Sequence, residues 1–147
     1  MKSILVSACL LGASCRYDGK AKPVKKVIAL KEKYNRIPVC AEIMGGLPTP
    51  RIPCEIKNGR AVNQNGEDKT AEYVRGAEEV LRLARLFGCD TAVLKARSPS
   101  CGNGEIYDGS FSGRLISGDG ICAELLKANG IKIFNETQIS EILGGEL

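Results

Sequence analysis

Seven cysteines and no histidine set the chemical possibilities of this chain. The cysteines are Cys9, Cys15, Cys40, Cys54, Cys89, Cys101 and Cys122. An odd number cannot pair completely within one chain, which is what a protein keeping its thiols reduced in the cytoplasm would show. Without histidine the usual general base and the usual nitrogen ligand for metals are missing. Catalysis then falls to Cys, Ser, Asp, Glu, Lys, Tyr or a cofactor, and a soft-metal site must be mainly thiolate. No two cysteines are spaced Cys-x-x-Cys, so zinc ribbons, thioredoxin-like chemistry and bacterial ferredoxin spacing have no support. The plain alternative is that free cysteines are commonly buried and inert.

Position divides the seven. Cys9 and Cys40 directly follow short apolar runs that read as strands, and Cys101 lies five residues past a third. Cys122 sits inside the helical run Ile121-Cys122-Ala123-Glu124-Leu125-Leu126 and reads as a small core residue. Cys89 occupies a helix-to-strand turn, and Cys54 a proline-rich loop near the presumed site. Cys15 shares a loop with Cys9 and stays open between ligand and bystander.

Other groups gather beside these cysteines. Glu42, two residues beyond Cys40, is either a solvated loop carboxylate or the general base that the missing histidine leaves unassigned. Ser98 and Ser100 flank Pro99 ahead of Cys101; they form a turn or donate hydrogen bonds to a substrate. Asp18, in Tyr17-Asp18-Gly19 between Arg16 and Lys20, could line a pocket. Tyr107-Asp108-Gly109 reads as turn chemistry alone. Arg51, Lys95 and Arg97 could meet ring oxygens or a phosphate, although each taken singly reads as a solvated charge.

The elements that must position these groups alternate. Strands are predicted over residues 3–8, 37–39, 91–96 and 131–134, and helices over 24–34, 67–88, 120–129 and 136–143. Val74, Ala77, Val80, Leu81, Ala84 and Phe87 supply the apolar stripe of the longest helix. Residues 55–62 form a hairpin turning at Asn58-Gly59. This order predicts an α/β, Rossmann-like fold: a mostly parallel sheet with helices on both faces and long glycine-rich loops at the strand C-terminal ends. Ligands of such sheets bind beyond the carboxyl ends of the strands, where Cys9, Cys40 and Cys101 would converge. One domain over residues 1–147 suits the length. There is no run long enough to cross a membrane, and the opening apolar run is too short for a signal-peptide core, so the cytoplasm is expected. A net charge of +4 makes no case for nucleic acid.

Six motifs in order carry a resemblance: Ser7-Ala8-Cys9-Leu10-Leu11-Gly12, Arg16-Tyr17-Asp18-Gly19, Pro38-Val39-Cys40-Ala41-Glu42, Gly45-Gly46-Leu47-Pro48-Thr49-Pro50-Arg51, Ser98-Pro99-Ser100-Cys101-Gly102 and Tyr107-Asp108-Gly109. Together they resemble the thiouracil desulfurase family over nearly the whole chain. The resemblance implies a [4Fe-4S] cluster held by three cysteines with a fourth, open iron; Cys9, Cys40 and Cys101 match the ligand positions. It implies that Glu42 is the catalytic acid–base group and that Ser98 lies near the substrate, with Ser100 an equally placed neighbour. Ala41 stands where the family often has proline. The implied activity is non-redox hydrolysis of a thiolated pyrimidine, base or nucleoside, to the oxo-pyrimidine and sulfide. Asp18, Ser100, Lys95 and Arg51 are the candidate substrate contacts. Two other readings stay open: a cluster-based sulfur carrier or transferase, and a non-catalytic metal- or nucleotide-binding module. Oligomeric state is not legible.

Overall fold

The computed structural model describes residues 1–144. The chain opens with β1 (Lys2–Ser7), whose end tightens into a 3₁₀ turn at Ala8–Leu11. A short helix α1 (Lys25–Ile28) runs into a second 3₁₀ turn, Ala29–Glu32, and then β2 (Tyr34–Val39) and α2 (Ala41–Met44) follow. The hairpin of β3 (Cys54–Lys57) and β4 (Arg60–Asn63) precedes the long helix α3 (Thr70–Leu86). β5 (Thr91–Leu94) leads to a second hairpin, β6 (Glu105–Tyr107) and β7 (Leu115–Ser117). The last elements are α4 (Ile121–Ala128), β8 (Lys132–Asn135) and α5 (Ile139–Gly144).

β1, β2, β5 and β8 form one parallel sheet in the order β2-β1-β5-β8. The α/β architecture expected from the alternation is the one observed. The chain steps outward from β1 to β2 and then crosses back to β5, so the order reverses between β1 and β5. Loops leaving these two strands part in opposite directions and open a crevice at their carboxyl ends. Both faces are covered, and the two-residue period of β1 sorts its side chains between them. Leu5 joins Val39, Ala77, Val80 and Leu126 on the side of α2, α3 and α4. Ile4 and Val6 join Val27, Leu30, Phe134 and Ile142 on the side of α1 and α5.

Two close approaches fix the pieces that bear the site. α2 crosses α3 where both carry glycine: a Cβ on Gly76 would stand 1.7 Å from the Ala41 carbonyl oxygen, and one on Gly45 1.9 Å from that of Glu72. The residue preceding Glu42 is thereby held against α3. The 98–101 loop is seated on α4, whose first amides donate to Pro99 and Ser100 carbonyls: Ile121 to Pro99 at 2.9 Å and Cys122 to Ser100 at 2.9 Å. These are the amides that a helix N-terminus leaves without internal partners. A Cβ on Gly120 would lie 2.6 Å from the Ser100 carbonyl oxygen, so only glycine allows this seat.

Three expectations need correction. The helix expected over 24–34 is one α-turn plus one 3₁₀ turn. Its start has no side-chain cap, lysines crowd it, and Tyr34 pairs with Lys2 in the sheet instead. The inward stripe of α3 runs through Tyr73, Gly76, Ala77, Val80, Leu81 and Ala84, while Val74 and Phe87 are exposed. Cys54 with Ala61 and Tyr73 makes a separate small core under the β3–β4 hairpin, and that contact sets the rotation of the helix. The glycine-rich stretch after β5 contains the β6–β7 hairpin. Strands of three residues, with Ile106 alone buried, are too short to display a period.

Candidate active site

A cavity of about 500 Å³ opens at the carboxyl edge of the sheet, and the sulfur-bearing residues Cys9, Cys15, Cys40, Cys54 and Cys101 line it. Cys9 comes from the turn that ends β1, Cys40 from the residue after β2, and Cys101 from the loop after β5. The structure therefore brings together the three cysteines that the strand order singled out. It adds Cys15, whose loop folds back so that its side chain reaches both Cys9 and Cys40. Cys89 and Cys122 are buried in the core between the sheet and α3 and α4, and line no part of the cavity.

The thiols influence one another's ionisation. A hydrogen bond with Cys15 holds the Cys9 thiol below its ordinary value, against burial and the charges of Cys101 and Cys40. The Cys40 hydrogen bond favours the Cys15 thiolate, but the Cys9 hydrogen bond and burial together outweigh it and raise Cys15. Cys40 is driven well above the thiol range by its Cys15 contact and by burial. Burial pushes Cys101 up to about 11, in spite of hydroxyls from Ser7 and Ser100 at 3.6 Å. Cys9 thus holds its proton less tightly than a free thiol, while Cys15, Cys40 and Cys101 hold theirs more tightly.

Glu42 stands between two partners. Its Oε1 accepts from Arg51 Nε at 2.9 Å, and its Oε2 from the Ser100 hydroxyl at 2.8 Å. Both side chains of the ion pair are nearly enclosed, at 6% exposure for Arg51 and 13% for Glu42. Arg51 also donates to the carbonyls of Cys15 (3.0 Å) and Pro48 (3.2 Å), which ties the Cys15 loop to the loop after α2. Behind the carboxylate lies the buried phenol of Tyr73, raised by its burial and by the charges of Glu42 and Cys54, and therefore neutral.

The serines complete a directed chain. Ser98 Oγ accepts from the amides of Ser100 and Cys101, both at 3.1 Å, and lies 2.9 Å from Ser100 Oγ. With the single Ser100 proton given to Glu42, the Ser98 hydroxyl is left as the donor to Ser100. Ser100 is buried at 2% exposure, so it faces its neighbours more than the cavity space.

The remaining candidates are placed differently. Lys95 lines the cavity, but its ammonium pairs with Glu136 at 3.0 Å and with the Ala96 carbonyl at 3.1 Å. Arg51 is committed to Glu42. Arg97 lines the cavity with a left-handed backbone, φ +66°, and pairs with Glu105 at half-exposed positions. Asp18 is absent from the cavity wall; its carboxylate caps the Lys20 amide at 3.0 Å, while its neighbours Arg16 and Tyr17 do line the cavity.

Sequence reasoning gave no role to Ser7, Glu136, Tyr73, Glu55 or Phe111. Ser7 joins the two central strands at the site: its Oγ accepts the Lys95 amide at 3.0 Å and contacts Cys101 Sγ. Its place just before Cys9 in the first motif was the available signal. The others lie outside the motifs, and only the fold brings them in.

Comparison with known proteins accords with this geometry. A family model described as 2-thiouracil desulfurase matches residues 4–138. An uncharacterised protein of Bacillus subtilis, YbbK, is 39% identical over 150 residues, covering 95% of this chain and 99% of that one. A solved structure described as the [4Fe-4S]-dependent thiouracil desulfidase TudS superposes with a TM-score of 0.92 at 43% identity, covering 97% of this chain and 96% of the other. With a family match across most of its length, and relatives that align nearly end to end, this chain belongs to the 2-thiouracil desulfurase family.

Proposed function

We propose that this protein removes sulfur from a small thiolated pyrimidine by hydrolysis at an iron–sulfur cluster held by Cys9, Cys40 and Cys101. The observation that carries the reading is the meeting of these three strand-end cysteines with Glu42 and Ser98 around one cavity. The donor set fits such a group: it is all thiolate, with no histidine in the chain. Among the described residues no three cysteines or carboxylates are drawn close enough to hold a single metal ion. Bound there, a cluster with one iron free of protein ligands would supply a soft Lewis acid for a thiocarbonyl sulfur.

The chain's own residues do the rest. The anionic Glu42, oriented by Arg51 and Ser100, takes a proton from a water aimed at the ring carbon. Ser98, held by two backbone amides, donates its hydroxyl to Ser100 and so completes the chain that orients Glu42. Water adds at the C=S carbon, the C–S bond breaks, and the products are the carbonyl form of the base and sulfide. No electrons are exchanged with an outside partner. Ser100 serves as the link between Glu42 and Ser98, and Lys95 holds the loop after β5 through Glu136. Seven unpaired thiols suit a reducing compartment such as the cytoplasm, and no helix among the described residues is long and apolar enough to cross a membrane. The test is anaerobic reconstitution with iron and sulfide, followed by assay of 2-thiouracil for uracil and sulfide in equal amounts. A reconstituted protein of full iron content that releases neither product would overturn the reading.

A further inference from the structure

The Tyr107-Asp108-Gly109 motif has no place in this chemistry, yet it builds part of the cavity. After β6 the chain turns back over β3. Gly109 sits so close to that strand that a Cβ would meet Lys57 Cβ at 2.8 Å and the Ile56 carbonyl oxygen at 3.0 Å, and its φ is +93°. Glu55, on β3, accepts from two amides of the turn with one carboxylate oxygen: Gly109 at 3.0 Å and Phe111 at 3.0 Å. Asp108 closes the turn from the other side through the Ser110 amide at 2.9 Å.

The outcome is an aromatic residue in an unfavourable backbone conformation. Phe111 has φ +55°, a left-handed conformation that a bulky residue rarely adopts. Such conformations persist only where the surroundings over-determine them, and they gather at ligand clamps. Phe111 and Tyr107 both line the cavity that holds Cys9, Cys40 and Cys101. The fixed loop thus holds an aromatic residue in a strained backbone conformation at the wall of the substrate space.

We infer that Phe111 is a specificity-determining residue that stacks on the planar ring of the pyrimidine, and that Glu55 is the positioning residue that holds it there. This rests on the proposed pyrimidine substrate. A heteroaromatic ring offers a π-face to such a partner, whereas a saturated ring does not.

The experiment compares anaerobically loaded wild type, Phe111→Ala, Phe111→Leu and Glu55→Ala at equal iron content. It reads KM and kcat for 2-thiouracil and for its 5,6-dihydro analogue, the affinity for uracil by calorimetry, and amide exchange over residues 108–113. Phe111→Ala should raise KM for 2-thiouracil and weaken uracil binding by roughly ten-fold or more, the scale of one lost stack, with a much smaller fall in kcat. Phe111→Leu keeps apolar bulk and should lose the preference for the planar over the dihydro ring. Glu55→Ala should speed exchange at Gly109 and Phe111 and raise KM in the same direction. Unchanged KM and uracil affinity in Phe111→Ala, or an unchanged ring preference in Phe111→Leu, would overturn the clamp. Faster exchange in Glu55→Ala without any rise in KM would overturn the role of Glu55. If wild type binds uracil yet releases no sulfide, the desulfuration reading fails, and the clamp is judged on uracil affinity alone.

Discussion

At the residue scale the proposed function gives Glu42 and the cysteines different roles, and substitution can tell them apart. Glu42→Gln keeps the size of the side chain, retains an acceptor for only one of Arg51 and Ser100, and removes the base. We expect unchanged iron content and visible absorbance, with turnover lower by about 10²-fold or more. Cys9→Ser, Cys40→Ser and Cys101→Ser should each lose iron and activity together, whereas Cys122→Ala should cost only stability, because that side chain is core at 1% exposure. Ionisation gives an independent measurement on the metal-free protein. Cys101 binds its proton more tightly when folded, at about 11 against an ordinary 9.0. Between those values the folded state carries the extra proton, so this contribution to stability is complete below pH 9 and is lost as pH rises towards 11. The melting temperature should fall across that window, and Cys101→Ala should flatten the fall. A slope identical in the two proteins would assign the loss to other thiols.

At the scale of elements, the Glu42 carboxylate is held by a crossing of two helices that tolerates no side chain. α2 is a single turn, too short to be stable alone, and its geometry comes from the seat on α3 at Gly76 and Gly45. Gly76→Ala would place a methyl group 1.7 Å from the Ala41 carbonyl oxygen. The helices must separate, so we expect a loss of roughly 3 kcal/mol or more in urea unfolding, at the upper end for overpacked positions. Residual folded protein should show lower turnover than iron content alone explains, because Glu42 moves with α2. Gly88→Ala, at a turn where an added Cβ meets nothing within 4 Å but φ is +66°, isolates the backbone part of such an effect and should leave the turnover of the folded fraction intact.

For the whole molecule, the cavity is a junction of three strand ends, tied by the sheet and by polar contacts that include Ser7 to Lys95, Arg51 to Cys15, and Ser100 to Glu42. A group that binds Cys9, Cys40 and Cys101 at once cross-links β1, β2 and the loop after β5. It binds the folded state and not the unfolded one, which must raise the unfolding midpoint. We expect anaerobic loading to raise the melting temperature by several degrees or more, and the gain to vanish in each of the three serine variants. If Cys40 and Cys101 are ligands as proposed, loading displaces protons that both hold tightly, and acid release in weak buffer is the expected outcome.

The sequence by itself determined the features that depend on local pattern. Apolar runs alternating with helical stretches specified four parallel strands, because helical crossovers between strands leave few other arrangements. The composition removed histidine from the chemistry before any coordinate was known. The positions of Cys9 and Cys40 just past their strands already pointed to the sheet's carboxyl edge, and the ordered motifs pointed to the family. Tertiary structure alone decided the rest. The stripe of α3 runs through Tyr73 and not Val74 because the hairpin just before the helix packs back onto it. Arg51 and Lys95, plausible substrate contacts by charge, have spent that charge on Glu42 and Glu136. Asp18 closes its own turn beside the cavity instead of facing it. Glu55 and Phe111, 56 residues apart, carry no pattern in common. Pairings of this kind depend on which surfaces meet when the sheet closes, and local spacing does not encode that meeting.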